Sequence, residues 1–439
     1  MRFFDRTQEV AKLKQIEERS HQTAQFTIIS GRRRIGKTTL VKEAYRNHEL
    51  LYFFVARKAE SELCSGYVAT IAETLQVPLM GDVRHFADVF RWVMQTAQTR
   101  HITLLIDEFQ EFMNINPAIF SEMQEIWDQY KSTAQINLLV TGSVNTLINR
   151  IFRDKKEPLY GRQTDTITVR AFAPSVLKEI MAEYAPSYSK EDLLAFYLFT
   201  GGVAKYVELL VDRRCLTKQQ MVETFFEHDS YFLGEGKAML IEEFGKDYAN
   251  YFSILSLIAS GCNTRSEIEN HLGFEVSGYL KKLMEDYELI KKQQPLFEKT
   301  VNKNVHYAIQ DSFLRVWFRF VYKYSYIIEA GGYERLMQIF ERDYTTFSGY
   351  ALEEWFRKSF VEKGQYTRIG YWHDRKGENE IDIIAADDVD RIVNVCEVKR
   401  QAKEIDLSAL RAKTDIFLQT TGEYRHHKIN TIGLSMEQM

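Results

Sequence analysis

The chain has 439 residues, 45% of them hydrophobic, which excludes a disordered chain and leads us to expect two to four packed domains. A net charge of −4 excludes a globally basic nucleic-acid binder and leaves room for a local basic surface. The four cysteines, Cys64, Cys215, Cys262 and Cys396, lie far apart and form no C-x-x-C pair, which argues against a zinc or redox site and fits a reducing cytoplasm.

Met1-Arg-Phe-Phe-Asp5 carries no apolar signal region, and no run approaches the roughly 18 apolar residues of a membrane span. Neither a signal peptide nor a membrane partner is therefore expected. The first strong element is the apolar run Phe26 to Ile29, a predicted strand. Gly31-Arg32-Arg33-Arg34-Ile35-Gly36-Lys37-Thr38 follows it, and a helix opens at Lys37, Thr38 and Thr39. Strand, glycine-rich turn and helix N-terminus together make a phosphate cradle, because free backbone N–H groups and the helix dipole converge on an anion. ATP is the expected ligand. Lys37 would contact the β- and γ-phosphates, and Thr38 would ligate Mg²⁺.

Leu51 to Val55 reads as a second strand and Ile102 to Ile106 as a third, ending in Asp107-Glu108. Ligands gather at the carboxyl end of a buried parallel strand. Asp107 would hold Mg²⁺ through water, and Glu108 would polarise the attacking water. Ile136 to Ser143 is the next strand, with Thr141 and Ser143 at its polar end beside the acidic strand. Ser143 reads as the cap of the helix that follows, and a resemblance to additional-strand ATPases implies for this position a sensor of the γ-phosphate. Thr166 to Val169 completes a β-α-β-α-β order, with helices such as Phe86 to Thr96 and Ile119 to Tyr130 between strands. An α/β core with a parallel sheet is expected.

Several local boxes resemble one family. They are Phe4-Asp5-Arg6-x-x-Glu9-x-x-x-Leu13, the phosphate loop, Leu105 to Gln110, Pro158-Leu-Tyr160-Gly161-Arg162, and Thr200-Gly201-Gly202-Val203-Ala204-Lys205-Tyr206. They resemble the archaeal-type P-loop ATPases, related to AAA and signal-transduction ATPases. The family usually carries proline where this chain has Ala204. The resemblance implies an ATPase core with a helical lid over about the first 235 residues. It makes Arg162 a candidate γ-phosphate or interface arginine, with Arg150 and Arg153 as alternatives.

From residue 246 the rhythm changes. Tyr251 to Ile258 reads as an apolar helix, Thr264 to His271 as a second opened by a capping box, and Val276 to Asp286 as a third. Leu289 to Lys292 and His306 to Ile309 read as a hairpin, so the segment resembles a winged helix. Its third helix offers Ser277, Lys281 and Lys282 beside Glu275 and Glu285, with no arginine to read guanine. A domain spacer is the competing reading. The aromatic run Asp311 to Val321 is expected to be a core helix.

The last hundred residues hold a second constellation. Glu380 to Ala385 and Ile392 to Lys399 read as a hairpin turning at Asp388 and Val389, which places Asp382, Glu397 and Lys399 on one face. Two carboxylates suit a hard divalent cation, and the lysine suits water activation and phosphate charge. A helix opening at Gly349 would add Glu353, in preference to Glu354, as a further metal ligand. The array Glu353…Asp382…Glu397-x-Lys399 resembles the restriction-endonuclease-like nucleases, and the resemblance implies a nuclease-like fold over about residues 340–439. Arg425-His-His-Lys428 is a basic patch nearby.

The expected architecture is thus α/β: a P-loop core (1–170), a helical lid (171–245), a winged-helix domain (246–320) and a nuclease-like α/β module (321–439). The expected function is ATP hydrolysis coupled to a DNA-directed, metal-dependent nuclease module. The alternatives are a signalling switch that binds a protein partner, and a defence or mobile-element ATPase whose nuclease is silent until the chain assembles with itself or others.

Overall fold

The computed structural model describes residues 1–439 apart from 79–80, 143–144, 245–247, 294, 298–304 and 375–376. It divides into two compact units, Arg2–Arg170 and Ala171–Met439, with Met1 joining the second.

In the first unit five strands form one parallel sheet. They are β1 (Gln25–Ser30), β2 (Leu50–Phe54), β3 (Ile102–Asp107), β4 (Ile136–Thr141) and β5 (Asp165–Thr168), in the order β2-β3-β4-β1-β5. Every residue of β1, β3 and β4 is buried, which is why these strands read as continuous apolar runs without alternation. Parallel neighbours need crossover connections, and helices supply them. One is Phe86–Thr96, whose Phe86, Val89, Phe90 and Val93 form a buried stripe at helical spacing. Phe109 anchors the core beneath the acidic strand, stacked on Phe152 and tilted against Phe120. Because β4 lies between β1 and β3, the phosphate-loop strand and the acidic strand are one strand apart. Thr141 ends the strand between them.

The second unit opens with the helices Pro174–Tyr184, Lys190–Thr200, Ala204–Asp212 and Lys218–Phe226. Capping boxes at Ser189 and Thr217 start two of them. Gly201, at φ 58°, ends the helix Lys190–Thr200 in the left-handed conformation. Four helices follow, Tyr231–Phe244, Tyr248–Ala259, Arg265–Leu272 and Ser277–Glu285, then an antiparallel pair, β6 (Ile290–Gln293) and β7 (His306–Ile309). The residues that follow β6 are tied to the C-terminal sheet. Leu296 donates its N–H to the Tyr371 carbonyl at 2.8 Å, and Leu296 and Phe297 pack into the core of the C-terminal sheet. The aromatic run is core: Phe313 packs on Tyr206, Phe252 on Trp317 and Phe318, and Phe320 on Phe340. Its second half, Trp317–Tyr322, widens into a π-helix.

A helix of 31 residues, Tyr333–Lys363, then leads to a four-stranded sheet. Its strands are β8 (Arg368–His373), β9 (Glu380–Asp387), β10 (Ile392–Val398) and β11 (Lys428–Leu434), in the order β11-β10-β9-β8. Only β10 and β11 are parallel, and the helix Leu407–Thr421 connects them. The expected helix start at Gly349 is corrected. Leu336, Ile339, Phe340 and Tyr344 carry the apolar stripe upstream, and Gly349 sits in mid-helix with open space around it. The segments expected as lid, winged helix and nuclease-like module all lie in one compact unit.

Gly202 marks the tightest approach in this unit. It has φ 81°, and an added Cβ would stand 2.4 Å from the Phe172 carbonyl oxygen. Gly161 has φ 71° but open space around it. Gly202→Ala is expected to cost about 2–3 kcal/mol and Gly161→Ala about 1 kcal/mol. Urea unfolding measures both, and equal costs would refute the close approach at Gly202.

Candidate functional sites

The phosphate loop bends through left-handed residues: Gly31 at φ 143°, Arg34 at φ 67° and Gly36 at φ 93°. A Cβ on Gly31 would lie 2.5 Å from the Val169 carbonyl oxygen, so only glycine lets the loop pass the end of β5. The helix Lys37–Ala44 starts directly after Gly36, and its first turn carries no acidic side chain to repel an anion. Lys37 folds over the loop and donates to the carbonyls of Gly31 at 2.8 Å and Arg32 at 3.0 Å. Its buried ammonium therefore stands within the curl formed by Gly31, Arg32, Arg33, Arg34, Ile35 and Gly36.

Asp107 ends β3 at 6% exposure and gathers donors from several segments. Thr38 Oγ1 donates to its Oδ2 at 2.7 Å, and the Tyr52 hydroxyl donates to the same oxygen at 3.1 Å. Thr141 Oγ1 and the Glu108 N–H, at 3.0 Å, donate to Oδ1. Thr38 and Asp107 thus meet as a hydroxyl and a hard carboxylate, a donor set that suits Mg²⁺. Glu108 stands next to them in a left-handed conformation, φ 56°, with Gln110 Nε2 donating to its Oε2 at 2.5 Å. Gly142 makes room for Gln110, since a Cβ there would lie 2.4 Å from Gln110 Oε1. The helix Lys37–Ala44 also contains Thr39.

Ser143 lies outside the described residues. Arg162, expected as a γ-phosphate or interface arginine, is corrected for the first role at this chain's own loop: it donates to Asp128 Oδ2 through Nε at 3.2 Å and Nη2 at 3.0 Å. Asp128 is near the end of the helix Ala118–Tyr130, and Lys131 accepts from the Ala24 N–H just before β1. Arg162 therefore sits at the amino edge of the sheet. The six-residue strand β1 separates that edge from the phosphate loop, a span of about 20 Å at ~3.3 Å per residue. Tyr52 and Thr141 are the residues missing from the expected site. Thr141 was visible as a polar strand end, whereas Tyr52 was hidden in an apolar run.

In the second unit, Glu397 lies near the end of β10 and Lys399 just past it, with Lys399 Nζ 3.8 Å from Glu397 Oε1. Glu397 turns toward the helix Leu407–Thr421. Lys413 Nζ donates to its Oε1 at 3.3 Å, and the Asp406 N–H donates to Oε2 at 3.3 Å. Asp382 does not simply share the expected face. The pairing of β8 with β9 slips between Gly370 and Trp372, so Asp382 and Ile383 together oppose Tyr371 as a bulge. Ile381 and Ile384 accordingly both enter the core around Leu410 and Phe417. Asp382 Oδ2 accepts from the Val398 N–H at 2.7 Å. Burial raises its pKa, against the pull of that N–H and of Lys399.

Glu353 and Glu354 behave oppositely although they are neighbours. Burial, with Asp382 beside it, lifts the Glu353 carboxyl to about 8 against the attraction of Arg357. Burial would also raise Glu354, but Lys291 at 2.7 Å and Arg357 at 2.6 Å overcome it and hold the group at about 2. Glu353 is thus coupled to Asp382, whereas Glu354 belongs to an ion cluster with the hairpin. Among the described residues no three His, Cys, Asp or Glu side chains converge to hold a metal. The expected set Glu353, Asp382 and Glu397 is corrected to this extent: it is an electrostatically coupled neighbourhood, not one cage.

No described helix is long and apolar enough to cross a membrane. Residues 3–210 match the family model of ATPase domains predominantly from Archaea. Residues 317–417, which include Glu353, Asp382, Glu397 and Lys399, match a family described as archaeal and bacterial proteins of unknown function. An uncharacterized protein of Methanocaldococcus jannaschii is 28% identical over 422 residues, 93% of this chain and 90% of the relative. The Walker-type ATPase of Pyrococcus abyssi shares the fold at a TM-score of 0.56 and 19% identity, over 72% of this chain and 96% of that one. Residues 3–210 are thus similar to the ATPase domains of that family, and the parallel sheet with its glycine loop shares the fold of the Walker-type ATPase.

Proposed function

We propose that this chain hydrolyses ATP at the Lys37–Thr38–Asp107–Glu108 site and couples its nucleotide state to a DNA-directed C-terminal module. The observation that carries the reading is the hydroxyl–carboxylate pair of Thr38 and Asp107 at the mouth of the loop. The loop N–H groups bind phosphate oxygens, and Lys37 adds a point charge at the β- and γ-phosphates. Mg²⁺ would be held by the Thr38 hydroxyl and, through water, by Asp107, and when bound it neutralises phosphate charge. Thr141 and Tyr52 keep Asp107 oriented. Glu108, steered by Gln110, takes the proton of the attacking water.

The C-terminal module supports a nuclease-like reading by its order of elements. A long helix, three antiparallel strands, a helix and a parallel strand bring Asp382 beside Glu397-x-Lys399. DNA is the proposed substrate class. The three helices and hairpin support a winged-helix reading, although Leu296 and Phe297 of the hairpin are spent on packing against the sheet. A second reading is a nuclease-like module that does not cleave and instead binds a protein partner or a second copy of the chain. The hold of Lys413 and Lys399 on Glu397 favours it, because both lysines compete with any cation for that carboxylate.

Lys37→Ala is expected to abolish or strongly weaken ATP binding in titration calorimetry with the fold intact. Unchanged affinity would rule out the loop as the site. Glu108→Gln is expected to bind ATP normally and to release phosphate at least about tenfold more slowly, and equal rates would remove Glu108 from catalysis. Plasmid and oligonucleotide cleavage by wild type, Asp382→Ala and Lys399→Ala, with Mg²⁺ or Mn²⁺ and with or without ATP, separates the two module readings. Cleavage lost in both variants at matched ATPase activity supports the nuclease. No cleavage by wild type supports the silent module, and cleavage that survives both variants places the site elsewhere.

The paired glutamates give a pH test. Between pH 4.5 and about 8 the folded chain holds the Glu353 proton more tightly than the unfolded chain does, so stability falls as pH rises through that window. Glu353→Gln is expected to remove that slope and to add about 2 kcal/mol at pH 9. Glu354→Gln is expected to cost about 3 kcal/mol at pH 7, because Lys291 and Arg357 lose their counter-charge. Urea unfolding at pH 5, 7 and 9 measures both, and variants that shift in the same direction would refute the opposed environments.

A further inference from the structure

We infer that Tyr52 is a positioning residue for the cation of the ATP site, acting through Asp107. The inference rests on the ATP-hydrolysing reading. Strand β2 lies beside β3, and Tyr52 pairs with Leu105, two residues before Asp107. The Tyr52 hydroxyl reaches along the strand direction to Asp107 Oδ2 at 3.1 Å. Thr38 Oγ1 donates to the same oxygen, while Thr141 and the Glu108 N–H occupy Oδ1. These donors approach both oxygens of the carboxylate and so fix its plane.

The consequence for the cation follows from the role of Thr38. A threonine hydroxyl that ligates a cation with its oxygen still has a proton to place, and Asp107 Oδ2 is 2.7 Å away to accept it. The arrangement works only while Oδ2 keeps its direction. Tyr52 is the second donor on that oxygen and comes from a different strand, so it opposes rotation of the carboxylate when Thr38 adjusts. Its ring is itself held, with Lys42 Nζ of the loop helix 4.5 Å from the ring centroid. Phenylalanine at position 52 would keep the ring, that contact and the strand, and would delete only the hydroxyl.

The experiment is Tyr52→Phe, read by binding rather than turnover. A fluorescent non-hydrolysable ATP analogue is titrated in EDTA and across a Mg²⁺ series, and Mn²⁺ affinity is measured by electron paramagnetic resonance with the analogue bound. The expected result is unchanged affinity in EDTA, an unchanged melting temperature, and a Mg²⁺ or Mn²⁺ requirement raised about tenfold, as for loss of an outer partner of a metal ligand. A metal requirement equal to wild type would overturn the role of Tyr52. So would an equal loss of affinity in EDTA, which would show that Tyr52 serves the nucleotide instead of the cation. Wild type without any Mg²⁺-dependent binding would overturn the ATP reading and this role together, whereas wild-type binding with an unmoved variant overturns this role alone.

Discussion

The first unit is organised around one buried carboxylate. Asp107 at 6% exposure would cost several kcal/mol if its oxygens met only apolar atoms. Its donors come from the loop helix, β2, β4 and its own chain. That requirement constrains the topology. Three strands must run parallel, adjacent and in the order β2-β3-β4, so that their carboxyl ends reach one point. β1 must then lie beyond β4 at a register that delivers Thr38 to the same point. The glycine at position 31 is the steric condition for this delivery, because a larger residue would strike Val169.

What was legible in the sequence was local. The glycine loop, the buried strands and the acidic strand end are set by backbone sterics and by burial within a few residues, so composition and spacing expose them. The capping box at Thr264 forms as its Thr-x-x-Glu pattern implies. What was not legible depends on which chain ends meet. Arg162 is charged and follows a glycine, but nothing near it in sequence tells that β5 runs away from it toward the loop. Gly349 looks like a helix boundary, yet a glycine in mid-helix costs only about 1 kcal/mol and the stripe on both sides outweighs it. The bulge at Asp382 breaks alternation because β8 slips against β9, and a single-strand pattern contains no information on its partner's register. Lys413 and Lys291 reach Glu397 and Glu354 from elements 16 and 63 residues away.

The two glutamates show how such distant partners decide chemistry. Glu353 and Glu354 are adjacent, similarly acidic in solution, and both withdrawn from water. Desolvation pushes both toward the neutral acid. For Glu354, the hairpin Lys291 with Arg357 and Arg315 reverses the sign. For Glu353, Arg357 acts alone and Asp382 opposes it, so burial prevails. The preference for Glu353 as the group that faces Asp382 is a matter of helix phase, since residues one apart point about 100° away from each other. The preference for Glu354 as the ionised one follows from the hairpin, which the helix sequence does not contain.

The same long-range pairing limits how the C-terminal module can move within its unit. Arg400 follows Lys399 directly and donates to Glu191 at 2.6 Å and to Ser348. Glu191 lies in the first turn of the helix Lys190–Thr200, and Ser348 in the long helix that carries Glu353. A half-buried guanidinium loses several kcal/mol if its carboxylate partner leaves without replacement. The helix Lys190–Thr200 therefore cannot shift independently of the strand end that carries Glu397 and Lys399. It must carry Arg400 along or expose an unpaired charge. A force applied to the helix Lys190–Thr200 therefore reaches a position one residue from the Glu-x-Lys pair.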